Sequence, residues 1–258
     1  MRIGFIGFGK MGSALASSLK KSGEKTVIFD RNKEVLAKAK QGGFEAAGSA
    51  SETAKKSGII FVCVKPQNLA ETLSEIKSNA GGKIVVSIAA GKKISSMKSV
   101  LGEAKIVRVM PNINALAGAS MNVFTAENLN SAEKKTIKGI LEKCGSAVEM
   151  PEEKFDSVTA LSGSGPAFVA RFVEALAEAG QKNGLGKSEA LELALQTVLG
   201  TAKLMKEKGF GTEQVVEMVS SPNGTTVAGR KILEQGEFKK IIFETVSAAR
   251  KRSEELGR

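Results

Sequence analysis

The stretch RIGFIGFGKMGSALASSLKKSG, Arg2 to Gly23, decides the fold. It opens on an apolar, β-branched run over Arg2–Phe8, passes through Gly7, Gly9 and Gly12, and enters a helical pattern at Ser13. A lone G-x-G-x-x-G is weak, but one that follows the first strand and opens a helix is a dinucleotide-binding turn. The glycines serve the tight turn, close backbone approach to a pyrophosphate, and helix-on-strand packing. Lys10 and Met11 complete the loop. The pyrophosphate would sit on the helix N-terminus, where free N–H groups and the dipole favour an anion.

Working outward, further strands are predicted at Thr26–Asp30, Ile59–Val64, Lys83–Ala89, Lys105–Met110 and Ser120–Ala126, with one more at Ala147–Met150. They are apolar on both faces, as a parallel sheet covered by helices requires. Their alternation with helical stretches predicts an α/β fold, an N-terminal Rossmann-like doubly wound sheet, over residues 1–152. Asp30 ends the second strand 18 residues after Gly12, where a ribose-recognising acid is expected. It favours a free 2′-hydroxyl, whereas the adjacent Arg31 and nearby Lys33 would attract a 2′-phosphate. The cofactor is therefore NADPH or NADH, with the preference open. Val64, Lys65 and Pro66, then Ala89, Ala90 and Gly91, then Asn112 all follow carboxyl ends of strands, the edge where such sheets bind ligands. Pro111 also reads as a plain strand terminator.

After Pro151 the pattern turns helical, giving an all-helical C-terminal domain over 153–258. Its breaks fall at Asn183–Lys187, Lys208–Thr212, Ser221–Thr226 and Gln235–Phe238. Ser188 and Thr212 are expected N-caps, and Gly184 and Gly209 expected C-terminal stops. Phe168, Val169, Phe172, Val173 and Leu176 predict one buried face; Leu191, Leu195, Val198, Ala202 and Met205 predict another. So much apolar face exceeds what this half can bury against itself, so dimerisation through it is expected, with burial against the first domain as the alternative.

Absences narrow the chemistry. The chain has no His, Trp or Tyr, which removes imidazole bases, the Ser-His-Asp triad, most zinc sites and a Tyr proton donor. No metal site is expected. The net charge of +11 comes from Lys and Arg scattered among Glu, and few aromatics could stack bases. An anionic substrate and cofactor over a lysine-rich surface explain it better than nucleic acid. No run approaches the roughly 20 apolar residues of a membrane span. Cys63 and Cys144 are distant and form no framework, so reduced thiols and a cytoplasmic location are expected.

At this point the chain resembles the pyrroline-5-carboxylate reductase family. The resemblance rests on DSVTALSGSGPAF (Asp156–Phe168), LALQTVLGTAKL (Leu193–Leu204), VSSPNGTTVAGRKILEQG (Val219–Gly236) and VKPQ (Val64–Gln67), in the expected order over essentially the whole chain. It implies NAD(P)H-dependent reduction of 1-pyrroline-5-carboxylate to L-proline, the last step of proline biosynthesis. It also implies a homodimer interlocked through the helical half, often with five dimers to a ring. Three positions depart from the family's pattern. Asn223 stands for a Gly, in a turn that Asn tolerates; Phe168 stands for a Tyr, losing a hydroxyl; Ala50 stands for an Asn near the cofactor.

Reduction of a protonated cyclic imine needs orientation and a grip on the carboxylate rather than a tuned acid. Ser221, Gly224, Thr225 and Thr226 would offer backbone N–H groups and hydroxyls to that carboxylate, with Thr226 placed near the ring nitrogen as the catalytic residue. In LSGSGP, Gly163 and Gly165 remove bulk, Ser162 and Ser164 offer donors, and Pro166 suits a first helical turn. Glu152 and Asp156 would orient this segment or solvate a helix start. Two rivals remain. A β-hydroxyacid dehydrogenase would carry G-x-x-G-x-G-x-x-x-K, which is not found around Lys182 or Lys203. A dinucleotide sensor or basic binding protein would have no use for intact SPNGTT and LSGSGPA blocks.

Overall fold

The computed structural model describes residues 2–257. Its first unit comprises residues up to Ser164 together with Ala248 onward, and its second comprises Gly165–Ser247. This division differs from a cut after residue 152: compactness keeps the segment after Pro151 and the last turns of the chain with the sheet.

In the first unit the chain runs through β1 (Arg2–Ile6), α1 (Lys10–Lys21), β2 (Lys25–Phe29), α2 (Lys33–Gln41), β3 (Glu45–Ala46) and α3 (Ala50–Lys56). It continues through β4 (Ile59–Val62), α4 (Leu69–Ala80), β5 (Ile84–Ser87), α5 (Ile94–Leu101) and β6 (Lys105–Met110). β7 (Ser120–Glu127), α6 (Ser131–Glu142) and β8 (Gly145–Glu149) complete the sheet, in the order β3-β2-β1-β4-β5-β6-β7-β8. The order reverses between β1 and β4, the switch point of a doubly wound fold. Two features differ from the sequence expectation. β3 was missed, because a two-residue strand has no period to read. The sheet is mixed: β7 runs antiparallel to β6, and β8 parallel to β7. The two faces of β7, Ser120/Asn122/Phe124/Ala126 and Met121/Val123/Thr125/Glu127, mix polar and apolar residues alike, so its composition carries no sign of direction.

Alternation along the strands builds two cores. Ile3, Phe5, Ile59 and Phe61 face α1, α2 and α6; Ile6, Ile60, Val62 and Val85 face α3, α4 and α5. Phe5 and Phe61 stack with ring centroids 4.9 Å apart. These adjacent central strands fix the carboxyl-end edge on which the glycine loop sits.

After β8 come α7 (Phe155–Val158) and one π-helical turn (Thr159–Gly163). The second unit holds α8 (Gly165–Lys182), α9 (Lys187–Lys208), α10 (Thr212–Met218), α11 (Thr225–Gln235) and the larger part of α12 (Phe238–Leu256). Gly184 and Gly209 adopt positive φ, as expected of helix stops. The expected N-caps Ser188 and Thr212 are already helical. Gly186 and Gly211 cap instead, and the N3 side chains of Glu189 and Gln214 accept their N–H groups. The buried faces also need correction. Of the ten positions named, Val173 alone is buried; Ala177, Ala190 and Ala194 join it where α8 meets α9. Gly180 lets these helices approach, since a Cβ there would lie 3.2 Å from that of Ala190. The larger residues, among them Val169 at 50 % and Leu195 at 48 %, stand exposed on the single chain.

Candidate active site

A cleft of about 380 Å³ opens at the carboxyl ends of β1, β2 and β4. Of the positions singled out from sequence it gathers Gly7, Gly9, Asp30, Arg31, Val64 and Lys65. The three glycines have different reasons to be there. Gly7 holds φ +96, and a Cβ would lie 2.6 Å from the Cys63 carbonyl oxygen. At Gly12 a Cβ would lie 2.2 Å from the Gly7 carbonyl oxygen, so α1 can start against the strand only without one. At Gly9 a Cβ would meet nothing within 4 Å. That glycine leaves open space at the N-cap of α1, which has no side-chain cap and no acidic residue in its first turn. Such an uncapped, open helix start fits a pyrophosphate. Lys10 and Met11 form the first turn with Gly12.

Asp30 is fixed from two sides. Its Oδ2 accepts the Phe8 N–H at 2.6 Å and its Oδ1 the Asn32 N–H at 2.8 Å. The carboxylate thus braces the glycine loop to the start of α2 and retains lone pairs for a ribose. Sequence reasoning missed the acids of α4: Glu71 and Glu75 both pair with Arg31, and Glu75 lines the cleft. Their i, i+4 spacing on a helix that follows β4 was the available signal. Cys63 borders the same cleft as a free thiol, and burial pushes its pKa upward. Pro66 opens a 3₁₀ turn over Pro66–Asn68, and Ala50 begins α3 as a buried residue.

Ala89, Ala90 and Gly91 follow β5, outside this cleft. Gly91 borders a second hollow with Lys93, Arg108, Glu152, Asp156 and Glu254. Arg108, on β6, is buried; its Nη1 donates to Glu152 Oε1 at 3.0 Å, and its guanidinium lies 4.5 Å from the Phe155 ring centroid. The Ile94 N–H donates to the same Glu152 oxygen at 2.8 Å, and the Ser253 hydroxyl donates to Asp156 at 2.6 Å. Glu152 and Asp156 therefore anchor the segment after Pro151.

That segment ends in the LSGSG turn. The Ser164 N–H reaches back five residues to the Thr159 carbonyl oxygen at 2.8 Å, which makes the turn π-helical, a form met often at functional sites. Asn112, whose Pro111 neighbour follows the end of β6, donates from Nδ2 to Ser162. A Cβ on Gly163 would lie 2.6 Å from Met110 Cε. Asn112, Ser162 and Gly163 thus form one contact. Gly165 and Pro166 open α8.

In the second unit, Ser221 to Gly224 form a turn closed by the Gly224 N–H to the Ser221 carbonyl oxygen at 2.9 Å. Asn223 adopts φ +59 at its third position, the left-handed geometry of a type II turn with Pro222 before it. The expected tolerance of Asn at this departure is borne out. Gly224 has no Cβ because one would lie 2.4 Å from Ser221 Oγ. α11 then starts at Thr225 with Gly224 as N-cap and no side-chain cap, so its first N–H groups lack an intrahelical partner. Ser221 and Gly224 thus close the turn, and Thr225 and Thr226 are the first two residues of α11 directly after it.

Residues 152–256 match the family model for pyrroline-5-carboxylate reductase dimerisation. A pyrroline-5-carboxylate reductase of Aquifex aeolicus is 38 % identical over 260 residues, covering 99 % of this chain and 97 % of the relative. The chain belongs to the pyrroline-5-carboxylate reductase family. The reductase of Escherichia coli is 36 % identical over 265 residues, covering 100 % of this chain and 98 % of its own. Residues 2–91 match a model described as NADP oxidoreductase coenzyme F420-dependent. Among solved structures, the Plasmodium falciparum pyrroline carboxylate reductase, crystallised with NADP bound, has a TM-score of 0.88 at 33 % identity. It covers 100 % of this chain and 98 % of its own. A Coxiella burnetii pyrroline-5-carboxylate reductase reaches a TM-score of 0.94 at 29 % identity, covering 99 % and 98 %. The dimerisation model spans α8 to α12, whose apolar residues include many that stand exposed on the single chain. No helix among the described residues is long and apolar enough to cross a membrane.

Proposed function

We propose that this chain reduces 1-pyrroline-5-carboxylate to L-proline with NADPH or NADH. The supporting observation is the uncapped start of α11 behind the Ser221–Gly224 turn, in a chain whose first unit presents a second uncapped helix start at Gly9. One anion-ready helix start suits the imino acid's carboxylate and the other a pyrophosphate. Bound NAD(P)H supplies the hydride. The chain supplies orientation and charge complementarity, which suffices because a protonated C=N carbon is already electrophilic. Backbone N–H groups of Thr225 and Thr226, with the Ser221 hydroxyl, hold the substrate carboxylate; Thr226 contributes its hydroxyl beside the ring nitrogen. Ser162, Gly163, Ser164, Gly165 and Pro166 supply the small residues against which the imine ring lies.

On the cofactor side the proposal assigns Gly7, Gly9, Lys10, Met11, Gly12, Asp30 and Arg31 to the pyrophosphate and adenosine ribose. Val64, Lys65, Pro66, Ala89, Ala90, Gly91 and Asn112 are assigned to the strand-end edge beneath the rest of the dinucleotide. Residues 1–152 form the cofactor domain and 153–258 the substrate and dimerisation domain of a cytoplasmic enzyme. Two copies pair through the C-terminal helices, with five dimers in a ring as the larger assembly, and without a nucleic-acid partner.

Loss of nicotinamide absorbance on adding pyrroline-5-carboxylate tests the activity, with 3-hydroxyisobutyrate run oxidatively alongside. Turnover with the imine that collapses in Thr226→Ala or Gly224→Ala supports the reading. Tight nucleotide binding without imine turnover would sink it.

A further inference from the structure

Asp30 and Arg31 carry opposite signals for the 2′ position of the adenosine ribose, since a carboxylate accepts from a free hydroxyl and a guanidinium attracts a phosphate. The structure shows that they are not equally available. Asp30 is held by two backbone N–H groups, Phe8 at 2.6 Å and Asn32 at 2.8 Å. It cannot turn away from a ligand without breaking the brace between the glycine loop and α2. Arg31 is already engaged: its Nη1 donates to Glu71 Oε2 at 2.9 Å, and its Nη2 donates to Glu75. These hydrogen bonds, that to Glu71 foremost, raise the guanidinium's pKa, and Arg31 lowers that of Glu71 in return.

Each of these exposed pairs is weak by itself, and the guanidinium can swing. Swinging does not help a phosphate, however. A 2′-phosphate that captured Arg31 would leave Glu71 and Glu75 unpaired beside it, with Asp30 still in place. In the cleft lining Asp30 and Glu75 then stand against Arg31 and Lys65, with Glu71 beside Arg31 and Lys33 at the start of α2 just outside the lining. A phosphate brings about 1.5 to 2 further negative charges at neutral pH. A free 2′-hydroxyl brings none and finds an acceptor already oriented.

We propose that Asp30, together with the Glu71–Arg31–Glu75 arrangement, makes this chain select NADH over NADPH. The inference rests on the reading of the first unit as an NAD(P)H site and does not depend on which substrate is reduced.

The test is direct binding without substrate: the full chain titrated separately with NADH and NADPH, following nicotinamide fluorescence. NADH should bind about tenfold more tightly. In Glu71→Gln/Glu75→Gln, two exposed changes that leave both cores intact, NADPH affinity should rise, and the ratio of NADPH to NADH affinity should rise about fivefold. NADPH bound as tightly as NADH by the wild-type chain would overturn the proposal, as would a double variant with unchanged NADPH affinity. Binding of neither nucleotide would overturn the dinucleotide site and this inference with it. Selective NADH binding without imine turnover would leave the inference standing while the proposed reaction fell.

Discussion

Asn112 spends both hydrogens of its side-chain amide on one residue, donating to the Ser162 carbonyl oxygen at 3.2 Å and to its hydroxyl at 3.3 Å. The same asparagine caps the 3₁₀ turn over Ile113–Ala117, and its N–H donates to Ser120 Oγ at 3.1 Å. One buried side chain therefore ties the carboxyl end of β6 to the π-helical turn that carries LSGSG. Its contribution is to position that turn.

Asn112→Ala should accordingly do two separable things. Loss of the cap and of the bonds to Ser162 should lower stability by about 2 kcal/mol, read as a fall of several degrees in Tm. Turnover of the imine should fall about tenfold through misplacement of the turn. NADH affinity by direct titration should fall less than turnover does, because Asn112 stands at the nucleotide edge while its amide is committed to Ser162. A loss of affinity that matched the loss of turnover would instead give the Asn112 amide a direct bond to the nucleotide.

Arg108 makes the second prediction. It is 6 % exposed and has one carboxylate partner, Glu152, which also accepts the Ile94 N–H. Glu152→Ala should cost about 3 kcal/mol in urea unfolding, because it leaves a buried guanidinium without its counter-ion. Glu152→Gln keeps an acceptor and should cost roughly half of that. Equal and small effects would show that water replaces the carboxylate.

Much of this was legible in the sequence where a physical constraint is local. The glycine loop, the strand-end edge, the helix stops at Gly184 and Gly209 and the left-handed turn at Asn223 each follow from what a short stretch of backbone must do. What the sequence hid depends on partners far along the chain. Nothing in the neighbourhood of Arg108 announces that Glu152 will meet it, and nothing near Arg31 announces Glu71 and Glu75. Direction in β7 was invisible because its composition is the same for either pairing. The faces of α8 and α9 read as buried because period reports that a face is apolar and says nothing about which molecule covers it. Ser188 and Thr212 looked like caps by residue type, yet Gly186 and Gly211 took that place with Glu189 and Gln214 folding back. A side chain three residues away decided the boundary.

Alkaline pH offers a third prediction. Burial pushes the Cys144 thiol up from 9.0 to about 11, and the residue sits in the core beside Leu15. Between those two values the unfolded chain gives up this proton while the folded chain keeps it. The stability contributed by the protonated thiol is thus complete below pH 9.0 and lost as pH rises towards about 11. Cys144→Ala should lower stability at neutral pH through the lost packing, by about 1 kcal/mol, and should show a shallower decline over the alkaline window. Parallel alkaline curves for the two proteins would remove the thiol from that account.

The glycine loop supplies the sharpest separation of binding from folding. At Gly12 a Cβ would lie 2.2 Å from a backbone oxygen of Gly7, which is itself fixed at φ +96. Backbone cannot step aside as a flexible side chain can, so Gly12→Ala should destabilise the chain by about 3 kcal/mol. At Gly9 φ is −68 and a Cβ would meet nothing within 4 Å. Gly9→Ala should therefore unfold within about 1 kcal/mol of the wild-type chain. Yet its methyl group would stand in the space through which a pyrophosphate approaches the uncapped N–H groups of α1, and NADH affinity should fall by about tenfold or more. The pair dissects the motif: one glycine is needed so that helix and strand can meet, the other so that something else can enter. Wild-type affinity in Gly9→Ala would mean that the pyrophosphate takes another path, and the open space over Gly9 would lose its functional reading.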